Sequence, residues 1–88
     1  MTHSNQLALT PNEALVLQQV LEDGEDDLST IAIQLGMSRG YVSNLVVHLK
    51  TKGLVAISTN FDDLWIRLTT RGRHLVDTLW PESRTTFA

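Results

Sequence analysis

The segment LSTIAIQLGMSRGYVSNLVVHLKTKG, residues 28–53, constrains the chain most, because it holds two helical patterns that cannot be one helix. Leu28, Ile31, Ala32 and Leu35 recur at helical spacing, and Gly36 ends that run. After a single residue, Met37, comes Ser38, a residue type that caps helix N-termini. In the run that follows, Val42, Leu45, Val46 and Leu49 stand at i, i+3, i+4 and i+7, which makes them a buried stripe. The first run is too short to be stable as an isolated helix, so packing must hold it. Two helices joined by a glycine-containing turn of about three or four residues make a helix-turn-helix. Its second helix extends from about Ser38 to Lys52.

The flanking segments complete a small domain. LTPNEALVLQQVLEDG starts with Thr10 as N-cap, Pro11 where a missing N–H costs nothing, and Glu13 placed to close a capping box. Ala14, Leu17, Val20 and Leu21 form the apolar face of this first helix, and Gly24 stops it. The acidic run EDGEDD reads as a solvated loop whose last members, Asp26 and Asp27, can cap the next helix. From Leu54 the period changes to two: Val55 and Ile57, then Leu64, Ile66 and Leu68, alternate around the turn-forming STNFDD. A hairpin after a helix-turn-helix is a wing. Thr69 caps a last helix with Leu75, Val76, Leu79 and Trp80 on one side, and Pro81 ends it. The expected fold is mainly α with a small β-hairpin: a winged helix-turn-helix of helix 1, helix 2, recognition helix 3, a two-stranded wing and a C-terminal helix. It occupies residues 9–81, between tails at 1–8 and 82–88 that show no packing pattern.

With 88 residues the chain can fill one core and no second one. Its 42% hydrophobic and 19% charged residues are those of a folded chain, and the lack of cysteine excludes disulfides and thiolate metal sites. His3, His48 and His74 have no metal-ligand spacing, and there is no phosphate loop, nucleophile elbow or carboxylate pair, so neither an enzyme nor a cofactor or metal site is expected. No small-molecule ligand is evident either. The start MTHSNQLALTPNE has no signal-peptide layout and no stretch approaches a membrane span, which makes a cytoplasmic protein the expectation.

The net charge of −3 is unevenly divided. Residues 1–35 contain Glu13, Glu22, Asp23, Glu25, Asp26 and Asp27 and no Lys or Arg. Residues 36–74 contain Arg39, Lys50, Lys52, Arg67, Arg71 and Arg73 against Asp62 and Asp63. A phosphate backbone is drawn to the second half and repelled from the first.

On helix 3 the positions outside the buried stripe are Ser38, Arg39, Gly40, Tyr41, Ser43 and Asn44, with Val47 and His48 a turn further on. Arg pairs with guanine, Asn with adenine, and Ser or Tyr hydroxyls hold phosphate, while Gly40 lets a backbone approach closely. The candidate DNA-binding residues are therefore Ser38, Arg39, Gly40, Tyr41, Ser43, Asn44 and His48, with Arg67, Arg71 and Arg73 on phosphate at the base of the wing. Tyr41 has a second reading, at the core edge against helix 2. Lys50 and Lys52 read as partners of the helix dipole before a Gly53 cap. Arg71 and Arg73 open a helix whose dipole disfavours cations, which favours an external anion there. Trp65 packs along the wing, and Trp80 belongs either to the core or to a dimer interface.

These residues resemble the DNA-binding core of MarR-type transcriptional regulators over about residues 9–80. The match lies in Ile31, Ala32, Leu35 and Gly36, the Ser38 cap, Val42, Leu49, Gly53 and Leu54, and then Leu68, Thr69 and Gly72, which fill an LTxxG pattern closing the wing. The resemblance implies sequence-specific binding of double-stranded DNA and transcriptional regulation, with a homodimer or a protein partner adding specificity. The chain departs from the pattern at three places. Family members usually carry flanking helices that form a dimer and a ligand pocket, and little sequence is expected to do so here before residue 9 or after Pro81. The wing tip carries Asp62 and Asp63, which phosphate would repel, where the family offers an arginine. Ile33 and Val47 are apolar on faces that are usually polar. The alternative function these departures favour is a winged-helix protein-interaction module without DNA binding.

Overall fold

The computed structural model describes residues 9–60 and 62–80; the sequence-expected tails lie outside the described residues. The chain runs through α1 (Pro11–Asp23), β1 (Glu25–Asp27), α2 (Leu28–Leu35), α3 (Arg39–Thr51), β2 (Val55–Asn60), β3 (Asp63–Leu68) and α4 (Thr70–Leu79). The helix starts follow the local chemistry read above. Thr10 Oγ1 accepts the Glu13 N–H at 3.1 Å while Glu13 Oε1 accepts the Thr10 N–H at 3.0 Å, a closed capping box. Ser38 and Thr69 cap α3 and α4 by the hydroxyl alone, accepting the N–H groups of Tyr41 and Gly72. Gly36 closes α2 in the left-handed region at φ 69°, with its N–H and that of Met37 returning to the last turn.

One core joins all the helices to the sheet. Val16, Leu17 and Val20 of α1, Leu28, Ile31 and Ala32 of α2, and Val42, Leu45, Val46 and Leu49 of α3 pack with Leu54, Val55, Ile66, Leu68 and Val76. Fully burying a side chain of this size contributes about 1.5–3 kcal/mol, so this layer outweighs the short helices' weak intrinsic stability. Two stripes differ from expectation. On α1 the inward line is Glu13, Val16, Leu17 and Val20, with Ala14 and Leu21 only half-buried, and the buried Glu13 is paired with Lys52. On α4 the inward line runs through Gly72 and Val76 to the partly buried Trp80, which leaves Leu79 exposed rather than in the core. No helix among the described residues is long and apolar enough to cross a membrane.

The acidic run is not a loop throughout. Glu25–Asp27 forms β1, which pairs antiparallel with β3, so the wing belongs to a three-stranded sheet of order β1-β3-β2. The hairpin alone would leave one side of β3 with unpaired backbone groups next to α2, and β1 satisfies them. A strand of three acidic residues has neither the length nor the side chains to declare itself by pattern.

The pleat then dictates the fate of Asp26. Opposite Ile66 in the register, it shares the core-facing side of the sheet, while Glu25 and Asp27 point away beside Arg67 and Trp65. Asp26 is 6% exposed; its Oδ1 accepts the Asp27 N–H, and its Oδ2 has no donor. Asp27 holds the N-cap position of α2 but makes no side-chain cap. Burial, reinforced by the neighbouring Asp23 carboxylate, pushes Asp26 up to about 7, while Asp26 and Gln19 lower the value of Asp23. A carboxyl raised in the folded state keeps its proton after the unfolded chain has released it. Stability from this group is therefore complete at low pH and is lost as pH rises from about 4 towards 7. Asp26→Asn, which mimics the protonated acid, should match the wild type at about pH 3 and exceed it by roughly 1–3 kcal/mol at pH 8. Urea titrations at the two pH values test this; equal stability of both proteins at pH 8 would show that Asp26 is ionised without penalty.

Candidate nucleic-acid interface

The buried stripe of α3 turns its remaining side chains to solvent. Arg39, Gly40, Tyr41, Asn44, Val47 and His48 are exposed, as is Ser38 before them, and Ser43 is half-buried. No heavy atom beyond the helix lies within 4 Å of where a Gly40 Cβ would stand, so the bare backbone faces open space there. The polar residues of this face do not all hang free, and their partners come from distant parts of the chain.

Arg39 reaches the wing. Its Nη2 lies 3.0 Å from Asp63 Oδ1, and its Nε donates to Ser29 Oγ at 3.1 Å. The Arg39 side chain nevertheless stays 52% exposed, with the rest of its N–H fork unspent on these two partners. Burial works to raise Asp63, but hydrogen bonds from Ser29, the Leu64 N–H and Arg39 prevail and hold its carboxyl well below the usual range. This corrects the expectation of two free carboxylates at the wing tip: Asp62 is exposed, whereas Asp63 is folded back onto the recognition helix. The short hairpin, whose strands meet at Asn60 opposite Asp63, places that carboxylate within reach of the start of α3.

Tyr41 does not lie against the second helix. Its hydroxyl accepts a hydrogen bond from Asn12 Nδ2, 2.9 Å away in the first turn of α1. Beside it, Asn44 and His48 complete an open groove of about 560 Å³ between α1 and α3, floored by Leu45. Beneath the groove Glu13, its side chain 3% exposed, binds Lys52 Nζ at 2.9 Å and faces His48 Nδ1 at 3.7 Å. Burial tends to raise the Glu13 carboxyl, but the hydrogen bonds of Lys52 and the Thr10 N–H, with the charges of Lys52 and His48, bring it below its ordinary value. Lys52 is thus more than a dipole partner. It is itself the C-cap of α3 and ties that end of the helix to α1, with Gly53 following at φ 78°.

The basic residues after α3 are exposed but dispersed. Arg67 stands opposite Glu25 on the outward side of the sheet, a cross-strand pair of opposite charge. Arg71 lies along Gly53, at the far end of α3 from Arg39, and Arg73 and Lys50 are exposed. The residues missed by pattern are Asn12, Glu13 as an ion-pair partner, and Ser29, which meet α3 only through the tertiary fold. A polar side chain on an otherwise ordinary helix carries no periodic signal of such a role.

The acidic end of α1 is remote from the Asn12–Tyr41 contact. From Asn12 to Asp23 the helix climbs about 16 Å at 1.5 Å per residue, which exceeds the Debye length of about 10 Å at 0.1 M salt.

No sequence family and no curated protein matches the chain in sequence. Its structure is nonetheless similar to known ones. YusO from Bacillus subtilis aligns with a TM-score of 0.79 at 22% identity, over 97% of this chain and 62% of that one. A mutant MarR from E. coli complexed with operator DNA aligns with a TM-score of 0.79 at 20% identity, over 88% and 57%. A MarR-family transcriptional regulator from Rhodococcus sp. aligns with a TM-score of 0.75 at 26% identity, over 80% and 51%. The chain therefore spans between about half and three fifths of these proteins' lengths. Helix-turn-helix, hairpin and closing helix share one arrangement across this set, and the chain is a winged helix-turn-helix domain with the fold of the MarR-type transcriptional regulators.

Proposed function

We propose that the protein binds double-stranded DNA in a sequence-specific manner, with α3 in the major groove, and acts as a transcriptional regulator, a homodimer or a second protein adding specificity. The observation that carries this reading is the outward face of α3. Arg39, Asn44 and His48 are presented to solvent on a helix whose opposite face is locked in the core, within a fold that a neighbour uses on operator DNA. Arg39 reads a base with the part of its guanidinium that Asp63 and Ser29 leave free, and those two partners fix its direction. Ser38, Gly40, Tyr41 and Ser43 flank it, and Arg67, Arg71 and Arg73 supply phosphate contacts.

Fluorescence anisotropy of a labelled duplex at about 50 and about 200 mM salt tests the reading, since phosphate neutralisation makes binding fall steeply with salt. Arg39→Ala should cost about 1–3 kcal/mol and relax preference at one base position. Affinity and preference equal to the wild type would remove Arg39 from the reading surface. Ile33, 79% exposed, and Val47, 50% exposed, favour a second reading, a protein-interaction module. No binding to any duplex at low salt would assign the face to a protein instead.

A further inference from the structure

We infer that the groove between the first turn of α1 and the outer side of α3 holds one phosphate of the DNA backbone, with Tyr41 as its hydrogen-bond donor and Asn12 as the residue that positions Tyr41. This rests on the DNA-binding reading and extends the interface to α1, a helix that supplies none of the residues assigned to DNA so far.

The argument starts from proton counting. A tyrosine hydroxyl has one proton and two lone pairs. Asn12 Nδ2, an amide donor, occupies one lone pair of Tyr41 Oη at 2.9 Å. The hydroxyl proton is thereby left for another acceptor, and Tyr41 is exposed on the groove side. The fitting occupant is a group that accepts and does not donate, which describes a phosphodiester oxygen. The groove lies where α3 meets α1, off the line of Arg39, so the acceptor that reaches it is a backbone oxygen rather than a base edge.

Charge permits an anion here despite the carboxylate below. Glu13 is nearly inaccessible, its Oε1 is held by the Thr10 N–H and Lys52, and its Oε2 faces His48. Lys52 balances its charge within the protein. Of Glu13 and His48, which both line the groove, His48 is 67% exposed and Glu13 only 3%, so an arriving phosphate has far more access to the imidazole than to the carboxylate. The groove also opens along the face that carries Asn44 and His48, so a strand lying against α3 passes its entrance. That continuity selects the duplex backbone over a free anion as occupant.

The test compares wild type, Tyr41→Phe, Asn12→Ala and the double variant by anisotropy on one labelled duplex at the two salt concentrations. Circular dichroism melts confirm that each variant is folded. Tyr41→Phe should weaken binding roughly tenfold, the size of a hydrogen bond to a charged group. The slope of log affinity against log salt should not change, because a neutral hydroxyl displaces no counterion. Asn12→Ala should weaken binding about threefold in the wild-type background and have no further effect in Tyr41→Phe, a non-additivity that loss of structure alone would not produce. Raising inorganic phosphate from about 1 to about 10 mM, with chloride lowered to hold ionic strength constant, should leave the ratio of wild type to Tyr41→Phe unchanged. Collapse of that ratio would assign the groove to free phosphate and overturn the proposal. Wild-type affinity in Tyr41→Phe, or an Asn12→Ala effect that adds fully to it, would overturn the proposal while leaving the DNA-binding reading intact. Failure of the wild type to bind any duplex would overturn both.

Discussion

Gly72→Ala should destabilise the domain more than any other single methyl addition, by on the order of 3–4 kcal/mol, enough to unfold much of a protein of this size. A Cβ at this position would stand 2.0 Å from the Leu54 carbonyl oxygen and 2.9 Å from its carbonyl carbon. Both are backbone atoms, so no side chain can swing aside. The same carbonyl accepts the Thr69 N–H at 3.1 Å, and Thr69 Oγ1 both donates to the Gly53 carbonyl at 2.7 Å and accepts the Gly72 N–H at 3.0 Å. Withdrawing α4 far enough to admit a methyl group breaks this junction and pulls Val76 from the core. Helix propensity alone would favour alanine over glycine by about 1 kcal/mol, so the expected sign is opposite to that of an ordinary helical glycine. Urea unfolding measures the loss; a change below about 1 kcal/mol would mean that α4 can move off Leu54 freely.

The second large effect concerns Glu13, which performs two tasks at once. Its carboxylate closes the capping box of α1 and binds Lys52 across the domain. Glu13→Ala should cost about 2–4 kcal/mol, made of a lost cap of about 1 kcal/mol and the loss of the nearly buried carboxylate's ion pair across the domain. Glu13→Gln keeps an oxygen for the Thr10 N–H and should recover part of this. The carboxyl is held below its ordinary 4.5, so its charge-dependent contribution is present above that pH and is lost as pH falls through the folded-state value. The stability gap between wild type and Glu13→Gln should therefore close on acidification below about 4.5 and be constant from pH 6 to 8. A gap that persists unchanged at pH 3 would assign the effect to shape alone.

Most of the fold is legible in the chain because its determinants lie within one or two turns of each other. Thr10, Pro11 and Glu13 specify the start of α1, Gly36 and Ser38 divide α2 from α3, and the alternation around Ile66 gives the hairpin. Val42, Leu45, Val46 and Leu49 are inward as their spacing requires, and this in turn decides which side of α3 faces solvent. The LTxxG pattern marked Gly72 by resemblance only; its physical reason, the approach of Leu54, requires the packed structure.

The candidate site was legible as a face but not as a set of contacts. Arg39 and Asp63 are 24 residues apart, Asn12 and Tyr41 29, and Glu13 and Lys52 39. Each pair joins side chains that would be equally at home in solvent, and nothing periodic in the chain announces that they meet. The same holds for β1, where three acidic residues are a strand only because β3 offers an unfilled edge, and for Asp26, which is buried because the pleat sends every second residue inward regardless of charge. The elements, their caps and the stripe that orients α3 can be read along the chain, since these depend on neighbours a few residues away. The third strand, the buried Asp26 carboxyl on it and the partners that aim Arg39 and Tyr41 follow only from packing, because those depend on which distant surfaces the core brings together.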